Sequence, residues 1–239
     1  MSGDGDTLIS HLEALRKTLL RILVVTTVLY PVAYWASPYV IGWLTRWCFP
    51  DEAALHYFAP MEVFWVQLKL ALVMALAAAY PWNILQLWKF VLPALYPAER
   101  KALGWWVLFS SLLFFSGGAF CVGVILPLLM NFSASFATKA LTPLIGLESF
   151  LDLAGWLTLA FALMFQTPIA VYLAVRMGFV TAAALAKKRP IVVTVILILA
   201  ALLTPPDVVS QLLLAAPTWL LFELGLLLAR RAEKHRRAR

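Results

Sequence analysis

Residues 190–228 read PIVVTVILILAALLTPPDVVSQLLLAAPTWLLFELGLLL, with apolar runs on either side of TPPDVVSQ. The paired prolines of that central sequence cannot continue a helix, so they mark a turn. Apolar runs with so few charges are typical of helices that cross a lipid bilayer. We therefore predict a membrane-spanning hairpin, with one helix over about Pro190–Leu203 and a second that ends near Leu228. Both helices are expected to be short and to thin the bilayer locally.

The whole composition agrees with a membrane protein. Of the 239 residues, 63% are hydrophobic and 13% are charged, whereas soluble domains contain about 25% charged residues. Four further apolar runs predict spans over about Leu20–Trp35, Val63–Leu85, Ala102–Met130 and Asp152–Val175. The predicted fold class is therefore all-α: a polytopic membrane protein with six transmembrane helices in a single membrane domain, residues 1–239.

Polar segments flank the six predicted spans. Residues 7–20 are expected to form an amphipathic helix at the membrane surface that runs into the first span, because leucines recur there at helical spacing. Residues 1–19 are assigned to this surface segment and residues 229–239 to a basic tail. No small-residue cleavage site precedes a soluble domain, so we interpret the first apolar run as an anchor and not as a cleaved signal peptide.

The distribution of Lys and Arg predicts the orientation. Sixteen of the 19 lie in the N-terminal segment, in the loops 86–101 and 176–189, and in the tail. The loops on the opposite side contain only Arg46 and Lys139. This asymmetry places both termini in the cytoplasm. Because the cations flank apolar runs, the net charge of +7 is interpreted as an orientation signal, and no nucleic-acid partner is predicted.

Motifs for enzymatic chemistry are missing from the sequence. It contains no GxxxxGK[ST] phosphate loop, no HExxH motif and no GxSxG motif. The three histidines, His11, His56 and His235, lie in separate polar segments, so no metal site is predicted. We expect no enzyme, no catalytic residue and no cofactor.

Polar residues in or beside the spans are functional candidates, because such groups are expensive in lipid. Gln166 either bonds backbone groups freed by Pro168 or contacts a partner helix. Asp207 caps the last helix, a role compatible with binding, and Glu223 is either an internally paired carboxylate or a functional group. These residues motivate an alternative function, a small-molecule or ion secondary transporter. We find no internal repeat, which weakens that alternative.

A second candidate region lies on the predicted cytoplasmic side. Glu13 and Lys17 are spaced to pair across one turn of a helix. The loop Gln86–Lys101 contains apolar side chains, among them Phe90, that either pack at the membrane interface or form a groove for an apolar ligand. Carboxylates beside such a groove would suit a positively charged, partly apolar peptide.

Three stretches resemble a known family. HLEALRKTL, residues 11–19, resembles the N-terminal HLxELR motif of TatC, the polytopic subunit of the twin-arginine protein translocase. QLWKFVLPALYPAER, residues 86–100, resembles the first cytoplasmic loop of that family. The stretch KKRPIVVTVILILAALLTPPDVVSQLLLAAPTWLLFELG, residues 187–225, resembles its fifth and sixth spans. The agreement is collinear and includes six spans with both ends in the cytoplasm.

The resemblance implies a function in protein transport. It implies binding of signal peptides that carry two consecutive arginines, on folded precursor proteins. It also implies docking of small single-span Tat subunits (TatA/TatB-like) in a multi-copy complex, driven by the proton-motive force in the bacterial plasma (inner) membrane.

The resemblance also assigns residues to these roles. The signal-peptide surface would contain Glu13, Arg16, Phe90, Glu99 and Arg100. The docking site for partner helices would contain Gln166, Thr204, Asp207 and Gln211.

The sequence departs from the family pattern at two positions. Ala14 stands where the motif usually has Glu, and Glu13 lies one residue earlier, a rotation of about 100° on a helix. Either Glu13 substitutes imperfectly or recognition depends mainly on Glu99. Gln166 stands where the family often has Glu, and a glutamine amide cannot carry a proton. A proton relay at residue 166 is therefore disfavoured.

Overall fold

The structure, a computed structural model, describes residues 3–49, 55–91, 103–135, 144–203 and 208–237. Within these ranges the secondary structure is helical, apart from one isolated pairing of His56 with Gly146. A π-helical turn, Cys121–Ile125, separates the third helix from the fourth. The α-helices are α1 Gly3–Cys48, α2 Glu62–Val91, α3 Leu103–Phe120, α4 Leu126–Ala134, α5 Leu147–Met164, α6 Thr167–Arg176, α7 Ala182–Lys187, α8 Arg189–Leu203 and α9 Val208–Arg237.

Five helical segments are long and apolar enough to cross a membrane. They are Leu12–Cys48, Glu62–Phe90, Gly104–Ala134, Leu147–Arg176 and Val208–Arg231. The sixth apolar segment, α8, has 15 residues and a length of about 22 Å, less than the roughly 30 Å of a hydrocarbon core. These segments confirm the predicted all-α, multi-pass fold with a short fifth span. The sixth span, Val208–Arg231, has 24 residues and is the shortest of the five long segments.

The helices pack in two groups. The first contains the described residues within Met1–Leu44 and Tyr57–Leu112. Its core is built on Ala33 of α1 and on Ala71 and Ala75 of α2, all buried. Small side chains let two helices approach closely, which is how transmembrane helices associate without a hydrophobic driving force.

The second group contains the described residues within Thr45–His56 and Leu113–Arg239. Here Gly117 of α3 lies against α5, since a β-carbon at Gly117 would be 2.7 Å from the carbonyl oxygen of Phe161. The backbone of His56 bonds on both sides of Gly146: its amide donates to the carbonyl of Ile145, and its carbonyl accepts from the amide of Leu147. The connections before α2 and before α5 are thereby joined, as expected for loops on one side of the membrane.

The predicted end of the first span, at Trp35, is wrong. Helix α1 continues to Cys48 and contains both Pro31 and Pro38. A proline at position 38 removes the amide that would bond the carbonyl of Tyr34. The hydroxyl of Ser37, which is completely buried, donates to that carbonyl at 2.8 Å. The freed acceptor is satisfied inside the helix, so the helix does not end there.

Two other predicted boundaries also change. Helix α2 continues to Val91, so Gln86 to Phe90 are helical and not part of the predicted loop. Helix α9 continues through the predicted tail to Arg237. The carboxylate of Glu233 accepts a hydrogen bond from the amide of Ala182 at 3.3 Å, which joins this extension to the start of α7.

Candidate functional site

The first candidate region is the N-terminal end of α1 together with the C-terminal end of α2. The hydroxyl of Tyr30 donates to the carbonyl of Leu68 at 3.2 Å, whereas the part of α1 before Thr26 lies beside Leu72 and Leu76. Later residues of α1 therefore contact earlier residues of α2, so the two helices run antiparallel. This antiparallel arrangement places Phe90, in the last turn of α2, toward the end of the pair that carries Glu13 and Arg16.

Glu13 forms the ion pair with Lys17 that the spacing predicted. A carboxylate oxygen of Glu13 lies 3.7 Å from the Lys17 ammonium, and the two side chains are 65% and 68% exposed. Exposed pairs of this kind contribute little to stability because water screens them and both side chains lose freedom. The Glu13 carboxylate therefore stays accessible to a cationic ligand.

The other predicted members of this region are only partly described. Arg16 is exposed and lines a groove between α1 and α2. Phe90 is half-buried. Glu99 and Arg100 lie outside the described residues, so their predicted roles stay predictions.

The second candidate region surrounds the break between α5 and α6. One of the two interpretations of Gln166 was a bond to backbone groups freed by Pro168, among them the carbonyl of Met164. The hydroxyl of Thr167 donates to this carbonyl at 2.6 Å. Gln166 stands in the turn between the two helices and is half-buried.

Gln211 connects the last two helices. Its side-chain amide, in the first turns of α9, donates to the carbonyl of Leu197 in α8 at 3.0 Å. Thr204 and Asp207 belong to the turn between these helices and lie outside the described residues. The structure therefore describes Gln166 and Gln211 of the predicted docking site, the first in the turn between α5 and α6 and the second in α9.

Glu223 is internally paired, one of the two possibilities that the sequence left open. The guanidinium of Arg189, at the start of α8, lies 2.6 Å from the Glu223 carboxylate in α9. The sequence did not identify Arg189 as the partner, because 34 residues separate the two in the chain. It also did not identify Ser37 and Thr167, although a hydroxyl residue directly before a proline was a readable signal in both cases.

The fold and these groups define a helical, multi-pass membrane protein. The chain belongs to the TatC family, because the model of "Sec-independent protein translocase protein (TatC)" matches residues 10–217. This confirms the family that the sequence motifs indicated. The family is a component of a protein translocase and is not a recognised enzyme family.

Individual relatives support the same assignment. The chain is 36% identical to the Sec-independent protein translocase protein TatC of Haemophilus influenzae, with 95% of this chain and 90% of the relative covered. It is 34% identical to the TatC protein of Escherichia coli strain K12, with coverages of 95% and 89%. A crystal structure of the twin arginine translocase receptor TatC superposes with a TM-score of 0.84 at 28% identity, covering 92% of this chain and 99% of that one.

Proposed function

We propose that this chain binds signal peptides with two consecutive arginines and holds folded precursor proteins for export. One observation carries the proposal: the Glu13 carboxylate is accessible at the end of the α1–α2 pair toward which Phe90 also lies. A carboxylate can accept two hydrogen bonds from one planar guanidinium, which favours arginine over lysine. Glu99, Arg16 and Arg100 complete the proposed surface, as the sequence motifs indicate.

We also propose that small single-span subunits of the TatA/TatB type dock through Gln166, Thr204, Asp207 and Gln211. A glutamine side chain has two amide hydrogens and an accepting oxygen, so Gln211 retains capacity for a further bond after its contact with Leu197. Transport in this proposal is driven by the proton-motive force across the bacterial plasma membrane, with both termini in the cytoplasm. The secondary-transporter alternative is not retained, since the chain belongs to a translocase family.

Photo-crosslinking of a diarginine signal peptide tests the recognition surface. A photoreactive residue at Ala14, which is exposed beside Glu13, should label the peptide. A second one at Val28, which is 67% exposed further along α1, is the control and should not. Labelling at Ala14 should fall when the arginine pair of the peptide is changed to lysines. Unchanged labelling with the lysine peptide would contradict the proposal.

A transport assay tests the proposed function in the cell. A strain that lacks its own TatC should export a folded reporter with a diarginine signal once this chain is expressed. Absence of export, with the chain correctly inserted and its partner subunits present, would contradict a role in translocation.

A further inference from the structure

An apolar groove lies between the first part of α1 and the middle of α2, within the first group of helices. Its volume is about 610 Å³. Leu19 and Leu23 of α1 and Leu72 and Leu76 of α2 are among the side chains that line it, and each is between 37% and 62% exposed. The groove is therefore open along its length to the surroundings of the helix pair.

Arg16 is the single charged residue among those that line the groove. Thr26, at the other end, already donates its hydroxyl to the carbonyl of Ile22 at 2.9 Å. The neighbouring cation, Lys17, is paired with Glu13. Across the described ranges, no hydrogen bond or ion pair joins Arg16 to another residue. The groove thus combines a mainly leucine lining with one exposed guanidinium that has no partner among the described residues.

The part of the groove between Arg16 and Thr26 is about as long as one leaflet of a membrane, and the lining begins about one turn earlier, at Leu12. Arg16 and Thr26 are ten residues apart on α1, or about 15 Å along the helix axis. This is half of a hydrocarbon core of about 30 Å. A guanidinium in a membrane protein is stable near the polar interface, so the leucine-lined part extends from there toward the midplane.

We propose that this groove binds one molecule of a phospholipid with an anionic headgroup. Its phosphate bonds to Arg16, whose planar fork suits two phosphate oxygens, and one acyl chain lies along the leucines toward Thr26. The charge of Arg16 favours a lipid as the occupant of the groove, because a phosphate brings the opposite charge to the guanidinium. Arg16 also belongs to the proposed signal-peptide surface, in which the carboxylates and not Arg16 would face the two arginines. The two proposals therefore share this residue, and competition between lipid and peptide is part of the test.

Photolabelling of the purified full-length chain tests the site. Two lipids with the same photoreactive acyl chain are compared, an anionic phosphatidylglycerol and a zwitterionic phosphatidylcholine. The anionic lipid should label α1 and α2 at the groove more strongly. Arg16→Gln should lower this labelling about ten-fold, since a charge-assisted bond is lost, and Arg16→Lys should lower it less. Lys17→Gln, at the adjacent paired cation, is the matched control and should change labelling less than about two-fold.

A second pair of variants tests the apolar part. Leu23→Trp fills the groove and should reduce labelling by both lipids to background. Leu87→Trp changes a leucine of α2 that is 46% exposed but does not line the groove, and it should leave labelling unchanged. Each variant is first shown to be monodisperse and helical, so that misfolding is recognised.

Several outcomes would overturn the lipid site. Arg16→Gln and Lys17→Gln could label equally, or the two lipids could label the wild-type groove equally. Displacement of the lipid by excess inorganic phosphate would reduce the site to an anion site. Displacement by a diarginine peptide, one for one, would assign the groove to the signal peptide. Loss of peptide crosslinking with lipid labelling intact would contradict only the proposed function.

Discussion

Gly225 of α9 lies directly against the backbone of Pro168 in α6. A β-carbon at Gly225 would be 2.7 Å from the Cα of Pro168 and 3.0 Å from its carbonyl oxygen. Neither atom can swing aside, because both belong to the backbone. Gly225→Ala should therefore lower the free energy of unfolding by about 1–3 kcal/mol. A lower thermal midpoint of the detergent-purified chain would show it.

Gly104→Ala is the matched control for that variant. A β-carbon at Gly104, in the first turn of α3, has no atom within 4 Å. Alanine there should be neutral or slightly stabilising, since glycine weakens a helix relative to alanine. Equal losses of unfolding free energy in the two variants would show that the close contact with Pro168 is not the reason why alanine destabilises the protein at residue 225.

The ion pair of Arg189 and Glu223 should show strong coupling. One carboxylate oxygen of Glu223 faces Arg189 at 2.6 Å, and the other is buried without a partner among the described residues. Arg189→Gln would leave a half-buried carboxylate without its cation. The free energy of unfolding should fall by about 1–3 kcal/mol, below the value for a fully buried pair because both side chains are partly exposed.

The double variant Arg189→Gln with Glu223→Gln should recover most of that loss, because it removes both charges. Unfolding of Arg189→Gln, Glu223→Gln and the double variant, followed by circular dichroism, gives the coupling free energy between the two residues. Arg230→Gln, at an exposed position of α9, is the control and should change little. Strictly additive losses would contradict a direct interaction between residues 189 and 223.

The hydroxyl groups that precede Pro38 and Pro168 should stabilise the helices that contain them. Ser37→Ala and Thr167→Val each leave a carbonyl, of Tyr34 or of Met164, without its donor. Each should lower the free energy of unfolding by about 1–2 kcal/mol. Thr167→Ser keeps the hydroxyl and should retain most of the stability. If valine and serine at residue 167 behave alike, the hydrogen bond is not the cause.

The two acidic residues of the proposed signal surface should contribute unequally. Glu99→Gln should impair binding of a diarginine peptide more than Glu13→Gln. Glu13 is displaced by one residue from the family pattern, and its carboxylate is already paired with Lys17. Lys17→Gln should strengthen binding by removing the competing cation. Fluorescence anisotropy with a labelled peptide measures all three variants. Equal or reversed losses at the two glutamates would show that Glu13 faces the ligand.

Local sequence patterns predicted much of the fold. Hydropathy identified each apolar segment and the connection TPPDVVSQ, and spacing alone predicted the pair of Glu13 with Lys17. The predicted first span ends at Trp35, whereas α1 continues through Pro38 to Cys48. The hydroxyl of Ser37 donates to the carbonyl that Pro38 leaves without an amide partner, and this bond is visible only in the folded helix.

The candidate site was predicted less completely than the fold. The motifs indicated the family, which the comparisons confirm, and they named the residues of the proposed surface. The sequence analysis offered Gln166 as one possible donor to the backbone groups freed by Pro168 and did not consider Thr167, whose hydroxyl donates to the carbonyl of Met164. Both side chains can donate a hydrogen bond, and the sequence alone does not give the geometry of either one.

The sequence by itself determined that this protein is a multi-pass helical membrane protein, because the length and polarity of a span are properties of consecutive residues. Only the tertiary structure decided that Arg189 forms an ion pair with Glu223. It also decided that Gly225 packs against the backbone of Pro168, and that Arg16 lines a groove of leucines. Each of these contacts joins positions or surfaces that no local pattern relates. They depend on which helix faces pack together, and packing is a property of the folded chain.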